Sequence, residues 1–400
     1  MPSIKQRWLI LVSALVIMGF EVGLYHAMLR FNIRKPDFAA LYQGGRTLDF
    51  ERFPSLPNRF PALKSTEYSV QIDGHEYVAD NLHPPYEMAL YAALALLKFR
   101  TAYLLWWACN LGCLFSVLFV LWPCVPKLQS SYPYLLILAA TFSPVLVALV
   151  QGQNSIVLLA FLALCYGCLE SGHEFRAGLA LSMGMFKFVI VIPLAFWLIL
   201  EKRWKSLAGF VCGCVALFTL ALWLVGMTGI VAYVRLLAGF GKKGPELPGT
   251  ESIMPNLRGL FHVFSFGIVP GTWISVVTML SSIALLVWID LRLRQYRILA
   301  LNFAIQVLLA CMISYHLYPH DAAVLILPLL LLLNHTLQYQ SGRALKLTVL
   351  TCAGCAYLVP LFGGLYVGMP AIGLAGLVLL IVARQATREE IVNGMVHVQI

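Results

Sequence analysis

Few ionisable side chains lie within or beside the long apolar runs of this sequence, and each is a candidate for chemistry. A charge in an apolar environment is expensive, so a buried charge is by default a hypothesis of function. Carboxylates can act as general bases, and lysine or histidine can hold an anion. The candidates are Glu21, Asp37, Glu87, Lys187 and a group formed by His316, His320 and Asp321.

Asp37 directly follows Pro36, a few residues beyond the first apolar run. One interpretation is a general base at the edge of the apolar region, where a carboxylate takes the proton of an attacking hydroxyl. The other is the N-cap of a short helix, a position that aspartate favours. The two roles are compatible.

A polar segment, Tyr315-His316-Leu-Tyr318-Pro-His320-Asp321, joins two long apolar runs. Its histidines, tyrosines and carboxylate could bind sugar hydroxyls, a phosphate or a metal ion. A polar turn in which Asp321 caps the next helix explains the same residues. The pattern alone leaves both interpretations open.

Lys187 lies among apolar residues, far from both ends of its run. Snorkelling of the ammonium group to a membrane surface is the plain explanation. The distance to either end favours a bound anion instead, and a lipid phosphate is a natural counterion.

Two further polar patterns have weaker implications. Gln151-Gly-Gln153-Asn154 interrupts two apolar runs and is either a polar helix junction that reaches an active cavity or a plain loop. Asp49 and Glu51 have D-x-E spacing, which could hold a divalent ion that bridges a phosphate. For that pair, a solvated surface is the favoured interpretation.

The composition determines the class of protein that carries these residues. Hydrophobic residues make up 60% of the 400 residues and charged residues 12%, and the mean hydropathy is +0.82. A soluble domain is roughly 45–50% apolar and about 25% charged. Soluble domains, a disordered chain and a disulfide scaffold are therefore excluded, and an integral membrane protein with many spans is predicted.

The net charge of +10 indicates membrane topology rather than nucleic-acid binding. The basic residues occur in small groups between apolar runs, and such groups keep loops in the cytoplasm. With roughly 20 apolar residues per span, we expect about twelve spans and both chain termini in the cytoplasm. The predicted spans cover 8–29, 84–97, 101–122, 132–150, 153–169, 177–200, 206–232, 262–289, 298–315, 321–338, 345–362 and 369–383. The stretch 177–200 is either one helix or a pair broken around Lys187.

Two loops are long enough to contribute to a site, and strict alternation places both on the outer face. Loop 30–83 combines a short amphipathic helix, predicted from Asp37 to Leu48 and lying on the membrane surface, with a β-hairpin around Asp73-Gly74. The second loop, 239–258, is rich in glycine, proline and lysine. An ordered outer loop of this length is more typical of an enzyme at the membrane surface than of a transporter.

The sequence contains no P-loop, no dinucleotide-binding glycine motif and no HExxH or GxSxG motif. We therefore expect an enzyme of this kind to take an activated donor from the membrane itself.

These features, in this order, resemble the GT-C superfamily of glycosyltransferases that use polyprenyl-phosphate-linked sugars, and most closely glycosyltransferase family 87, which includes mannosyltransferases. The resemblance covers about residues 8–335. It rests on Pro36-Asp37-Phe38 with Tyr42, His83-Pro84-Pro85-Tyr86, Gln151-Gly-Gln153-Asn154, the segment from Ala177 to Lys187 with Pro193 and Glu201-Lys-Arg-Trp204, and Tyr315-His316 with His320-Asp321. A tyrosine, Tyr315, stands where the family pattern has a proline.

The resemblance implies an all-α polytopic membrane protein. A single domain, residues 1–400, would form a GT-C type bundle of about twelve transmembrane helices with a structured first extracytoplasmic loop. It would lie in the plasma membrane, which is the inner membrane of a bacterium, with its active site on the extracytoplasmic side.

The implied reaction is inverting transfer of a hexose, mannose first, from a polyprenyl-phosphate-linked donor to a glycolipid, glycan or protein acceptor. Asp37 matches the family's acidic residue in the first loop and would be the general base. No cofactor is implied beyond this lipid-linked co-substrate, and a metal requirement stays open. Binding of the donor phosphate or sugar is assigned to Lys187, His316, His320, Asp321, Tyr42, Arg46 and Gln153.

A polytopic transporter or lipid flippase is the alternative, because it also needs many spans and a few buried charges. Many transporters are built from repeated halves. No such repeat is visible here, and the polar groups concentrate toward one face.

Overall fold

A computed structural model describes residues 37–47, 67–72, 75–80, 83–240, 250–266, 268–293, 298–338 and 343–398. The predicted first span, Glu21, Asp49 and Glu51 lie outside these ranges. The predicted loops 30–83 and 239–258 are described in part.

The described chain is a bundle of α-helices with one small hairpin. The strands are β1 (Glu67–Ile72) and β2 (His75–Asp80). The helices are α1 (Asp37–Thr47), α2 (Pro85–Ala95), α3 (Phe99–Leu121), α4 (Tyr132–Ala140), α5 (Ser143–Gln151), α6 (Ser155–Glu170), α7 (Glu174–Met183), α8 (Phe188–Leu200), α9 (Trp204–Phe240), α10 (Leu257–Phe264), α11 (Gly271–Leu293), α12 (Leu299–Ile313), α13 (Ile326–Gln338) and α14 (Arg343–Val398). Short 3₁₀ turns connect several of them, including Met185–Lys187 and Pro319–Leu325.

Two of the longest helices each consist of two segments. The backbone leaves the helical conformation at Gly226 in α9 (φ 67°) and at Gly364 in α14 (φ 64°). Both φ values lie in the left-handed region, which glycine adopts without a steric penalty. The break in α14 falls between the predicted spans 345–362 and 369–383.

Several helices are apolar enough to cross a membrane, which supports an all-α polytopic membrane protein. Within the described ranges, four are also long enough, and there are up to six if each of two bent pairs is a single span. Three more apolar helices, within α6, α11 and α12, are shorter. This number is below the about twelve spans expected from apolar length.

The predicted span 84–97 is not a span in the structure. Helix α2 has 11 residues and is therefore about 16 Å long, whereas a bilayer core is about 30 Å thick. Both ends of α2 also lie at the same end of the bundle. Glu87 near its start bonds Asn154, and the Leu97 carbonyl beyond its end accepts from Tyr42 in α1. Strict alternation of the spans therefore fails here. One face of α2 is packed in the bundle, while Leu90 and, just beyond the helix, Leu96 are exposed.

The stretch 177–200 is the broken pair that the sequence left open. Helices α7 and α8 flank the turn that contains Lys187. The first residue of α7, Glu174, pairs with Arg203 just beyond α8, with 2.9 Å between Oε1 and Nη1. The outer ends of the two helices are therefore close together, and the chain runs toward Lys187 and returns.

Helix α1 packs into the bundle rather than lying alone on a surface. Phe38 and Leu41 are fully buried, and the Phe38 ring contacts Tyr91 of α2 and Tyr103 of α3 edge to face. These aromatic contacts hold the first residue of α1, Asp37, at a fixed place relative to α2 and α3.

The hairpin follows the alternating pattern of the sequence. Strands β1 and β2 are antiparallel, with Ile72 opposite His75 and Glu67 opposite Asp80. This register requires a two-residue connection, as predicted for Asp73-Gly74, which lies outside the described ranges.

Glycines allow α7 and α9 to pack at very short distance. A Cβ on Gly178 would lie 1.8 Å from the Ser206 carbonyl oxygen, and one on Gly209 would lie 2.0 Å from the Phe175 carbonyl oxygen. Both obstacles are backbone atoms, which cannot rotate away. This packing fixes α7 and, through it, the turn that contains Lys187.

We expect Gly209→Ala to destabilise the protein by about 1–3 kcal/mol, because the new methyl group overpacks the contact with α7. Gly112→Ala is the matched control. A Cβ there meets nothing within 4 Å, and alanine favours a helix by up to about 1 kcal/mol over glycine. Thermal unfolding of the detergent-purified variants measures both effects. A Gly209→Ala protein as stable as the Gly112→Ala protein would contradict the packing argument.

Candidate active site

A tight polar turn, residues 151–155, separates α5 from α6. It is called the polar turn below. Gly152 has φ 65° and ψ 34°, and the backbone N–H of Gln153 donates to the Ala148 carbonyl, 2.9 Å away. A Cβ on Gly152 would lie 2.6 Å from the Cβ of Phe38. Trp106 donates its indole N–H to the Gly152 carbonyl at 2.8 Å. Glycine is therefore needed here both for the turn and for the contact with α1.

Two amides of the polar turn hold two carboxylates. Gln153 Nε2 donates to Asp37 Oδ2 at 2.7 Å, and Asn154 Nδ2 donates to Glu87 Oε1. The other oxygen of Glu87 accepts from His83 Nδ1 at 2.9 Å. Asp37 is half-buried, while Glu87 is buried. The two carboxylates and the two amides that hold them are called the acid side below.

The flanking residues of the polar turn hold the predicted cationic groups. His320 Nδ1 donates to Gln151 Oε1 at 2.8 Å, and Ser155 Oγ donates to Asp321 Oδ1 at 2.8 Å. Lys187 Nζ lies 2.9 Å from the same oxygen of Asp321. These groups form the cation side of the site.

Asp321 caps a turn, one of the two interpretations that the sequence left open, and it also pairs with Lys187, which the sequence did not predict. Its Oδ2 accepts the backbone N–H of Tyr318 at 3.1 Å, which caps the 3₁₀ turn Pro319–Leu325. Its Oδ1 pairs with Lys187, and both side chains are largely buried. Lys187 therefore does not snorkel to a surface. Its ammonium group is held inside the bundle by a carboxylate.

His316 lies apart from the Lys187–Asp321 pair. The rings of Tyr315, His316, Tyr318 and His320 follow one another at centroid distances of 4.7, 6.2 and 5.7 Å. The guanidinium group of Arg258 lies 4.1 Å above the Tyr315 ring. Burial and, secondarily, the positive charge of Arg258 lower the pKa of His316 to about 4. His316 is therefore neutral at pH 7 and can accept or donate a hydrogen bond but adds no charge.

Helix α10 places Arg258 beside this row of rings. Asn256 caps α10 by accepting from Gly259 N at 2.9 Å and donates to the Ser314 carbonyl at 2.7 Å. Arg258 also pairs with Glu251, with 3.3 Å between Nη2 and Oε1. The described part of the second predicted loop is thus bound to the segment that carries His316.

Two predicted binding residues lie elsewhere. Tyr42 is buried in the aromatic packing of α1 with α2 and α3, and its hydroxyl donates to the Leu97 carbonyl at 2.7 Å. Arg46 is exposed in the last turn of α1. The structure brings neither to the polar turn.

The sequence reasoning assigned no role to Ser155, His83 or Arg258. Gln151 and Asn154 were noted only as part of a polar interruption, and Glu87 only as a costly charge. For the residues of the polar turn a sequence signal was present, because polar side chains between two apolar runs need partners. In the structure each of them bonds a candidate residue. Arg258 had no such signal, since it lies in an ordinary polar stretch.

No cluster of three or more His, Cys, Asp or Glu side chains that could hold a metal ion occurs in the part of the chain that the structure describes. The chemistry of the site that the described residues support is proton transfer and anion binding. Asp37 is a carboxylate positioned by one amide of the polar turn, and Gln151 and Ser155 of the same turn bond His320 and the Lys187–Asp321 pair.

The comparisons with known proteins identify one family. The model described as glycosyltransferase family 87 matches residues 81–314, more than half of the chain. This range contains the polar turn, Glu87 and Lys187. Asp37 and the segment from Tyr315 to Asp321 lie outside it. Neither the search of curated proteins nor the search of solved structures found a match.

The buried pair of Lys187 with Asp321 gives a stability prediction. Lys187→Met leaves the Asp321 carboxylate buried without a counterion, and we expect a loss of about 3–5 kcal/mol. The double variant Lys187→Met with Asp321→Asn removes both charges. Its amide oxygen can accept from Tyr318 N, and its NH₂ group can donate to Ser155 Oγ, whose hydroxyl reorients. The double variant should recover most of that loss. Thermal unfolding followed by tryptophan fluorescence measures it, and a double variant no more stable than Lys187→Met would contradict the pairing.

Proposed function

The chain belongs to glycosyltransferase family 87 and is therefore a sugar-transferring enzyme, and we propose that it uses a lipid-linked donor. In this proposal a hexose, mannose in the first instance, moves from a polyprenyl phosphate to a hydroxyl of a glycolipid, glycan or protein. The transfer takes place at the extracytoplasmic face of the plasma membrane, the inner membrane of a bacterium.

One observation carries the proposal. Side chains of one short segment, 151–155, bond the half-buried carboxylate of Asp37, the ring of His320 and the carboxylate of the Lys187–Asp321 pair. Hexosyl transfer from a phosphate needs both sides, because one group must take a proton while another stabilises a departing anion.

In the proposed step, Asp37 takes the proton of the acceptor hydroxyl. The freed electron pair of that oxygen forms a bond to the anomeric carbon, while the bond between that carbon and the phosphate oxygen breaks. The polyprenyl phosphate leaves with the bonding electrons. A single carboxylate base is sufficient for direct displacement, so the anomeric configuration inverts.

Lys187 stabilises the negative charge that develops on the leaving phosphate, and His320, whose Nδ1–H donates to Gln151, lies beside the Lys187–Asp321 pair. Lys187 is already fixed by Asp321, and His320 is fixed by Gln151, so neither group must reorganise as the bond breaks. His316 and Arg258 lie further along the row of rings, on the route by which the phosphate and its lipid would approach.

For the membrane arrangement, we propose that the end of the bundle with the polar turn faces outward. The ends of α7 and α8 that Glu174 and Arg203 join then face the cytoplasm, together with the basic group of Lys202, Arg203 and Lys205. The three shorter apolar helices, the second segment of α14 and the predicted first span bring the total to about eleven. Family membership favours transfer over the transporter alternative, because the family is one of glycosyltransferases.

Replacing the proposed base gives the direct test. We expect Asp37→Asn to lower the transfer rate by about 10²–10⁴-fold, since an amide cannot take the proton, while the oxygen of the new amide can still accept from Gln153. The assay mixes purified protein, undecaprenyl-phosphate-mannose and a total membrane lipid extract, with products read by mass spectrometry.

Glu174→Gln is the matched control, because it removes a carboxylate at the other end of the bundle and should leave the rate unchanged. Transfer at the wild-type rate by a folded Asp37→Asn protein would remove Asp37 from the mechanism.

The phosphate role of Lys187 can be separated from its pairing with Asp321. In the double variant Lys187→Met with Asp321→Asn, the fold is expected to recover, but the ammonium group is absent. We expect the KM for the polyprenyl-phosphate donor to stay roughly 10- to 100-fold raised, the effect of losing one hydrogen bond to a charged group. A donor KM that returns to the wild-type value would show that Lys187 only neutralises Asp321.

A further inference from the structure

Two buried oxygen atoms of the polar turn have no hydrogen-bond partner among the described residues. They are Gln153 Oε1 and Asn154 Oδ1. Asn154 is 2% exposed and Gln153 6% exposed, so bulk water does not satisfy these atoms. A buried acceptor without a donor is costly, and native proteins keep few of them.

The orientation of the two amides follows from their partners. Each amide faces a carboxylate, Asp37 or Glu87, and a carboxylate accepts hydrogen bonds only. The NH₂ group must therefore point to the carboxylate and the oxygen must point away. An exchange of nitrogen and oxygen in either amide would bring two acceptors together.

The acid side therefore offers mainly acceptors. It combines the carboxylates of Asp37 and Glu87 with the two amide oxygens. A phosphate would be repelled by the carboxylates, and an apolar group would leave the amide oxygens without partners. A ligand with several O–H donors fits this set, and a hexose has such donors around its ring.

We infer that Glu87 and Asn154 form a subsite for hydroxyl groups of the transferred hexose, beside Asp37. This inference rests on the proposed function for its ligand. Asp37 and His83, the partners of Gln153 and Glu87, are partly exposed. His83 holds Glu87 through its second oxygen and acts as a positioning residue.

The subsite gives the enzyme a means of selecting its sugar. A site built to hydrogen-bond a hydroxyl rejects an analogue that lacks it, because the buried polar groups of the site are then left unpaired. Hexoses differ from one another in the direction of single hydroxyls. The positions of Glu87 and Asn154 are fixed by α2 and by the polar turn, so they can distinguish one direction from another.

The test combines changes in the protein with changes in the donor. The probes are undecaprenyl-phosphate-mannose and its 2-, 3-, 4- and 6-deoxy forms, and the readouts are donor affinity, from thermal stabilisation of the full-length protein, and transfer rate. We expect at least one deoxy donor to bind the wild-type protein about ten-fold or more weakly. In Glu87→Gln, removing that same hydroxyl from the donor should change the donor affinity much less than in the wild-type protein.

Glu87→Gln keeps the volume and an acceptor for Asn154, so a purely structural role predicts equal losses for every donor. Glu170→Gln, the same substitution at the far end of α6, is the control and should leave all donor affinities unchanged. If Glu87→Gln does not fold, Asn154→Ser takes its place, because serine keeps a donor for Glu87 and removes the amide oxygen.

The inference is overturned if every deoxy donor binds as well as the parent, or if the penalty for each missing hydroxyl is the same in the variant and the wild type. Failure of the proposed function has a different signature. A wild-type protein that binds the donor with the expected hydroxyl dependence but transfers no sugar leaves the subsite in place and removes the transfer step.

Discussion

The rest of the site depends on one constraint, which is that polar groups inside an apolar bundle must find hydrogen-bond partners within it. Residues 151–155 carry four polar side chains between α5 and α6, and each bonds a side chain that comes from a distant part of the chain. The same constraint acts on Asp37, Glu87, His320 and Asp321, none of which could remain in this environment without such contacts. The polar side chains of the turn and the charged residues of the site therefore lie together, because each supplies the hydrogen-bond partners that the other needs.

The charged candidate residues could be identified from the sequence, but the side chains that they bond could not. Asp37, Lys187 and Asp321 could be selected because a charge in an apolar run is costly wherever it lies. That Gln153 binds Asp37 and Ser155 binds Asp321 could not be read, because those contacts join residues more than a hundred positions apart and depend on the directions of helices. The same limit explains why the span predicted at 84–97 was wrong. The length of an apolar run does not show whether a helix crosses the bilayer, and α2 is a short helix with one face packed in the bundle.

Local signals were more reliable, since local geometry determines them. The spacing of Phe38, Leu41 and Tyr42 predicted α1, and these side chains are buried on one face of it. The pattern around Asp73-Gly74 predicted a hairpin with a two-residue turn, and the strands pair in the register that such a turn requires. The sequence indicated that the stretch 177–200 could break at Lys187. That the chain turns back there follows only from the contact between Glu174 and Arg203, at the far ends of α7 and α8.

The division of the polar turn into two sides has a physical reason. The proposed mechanism needs a carboxylate that takes a proton and a cation that holds a phosphate, and the two would neutralise each other in direct contact. Here each charge has its own neighbour instead: Gln153 for Asp37, and Asp321 for Lys187. A neutral amide fixes the carboxylate of Asp37 without supplying a counter-charge. A carboxylate fixes Lys187 through one oxygen and leaves the other N–H groups of the ammonium for an anion. Gln153 and Ser155, two positions of one turn, hold the two arrangements.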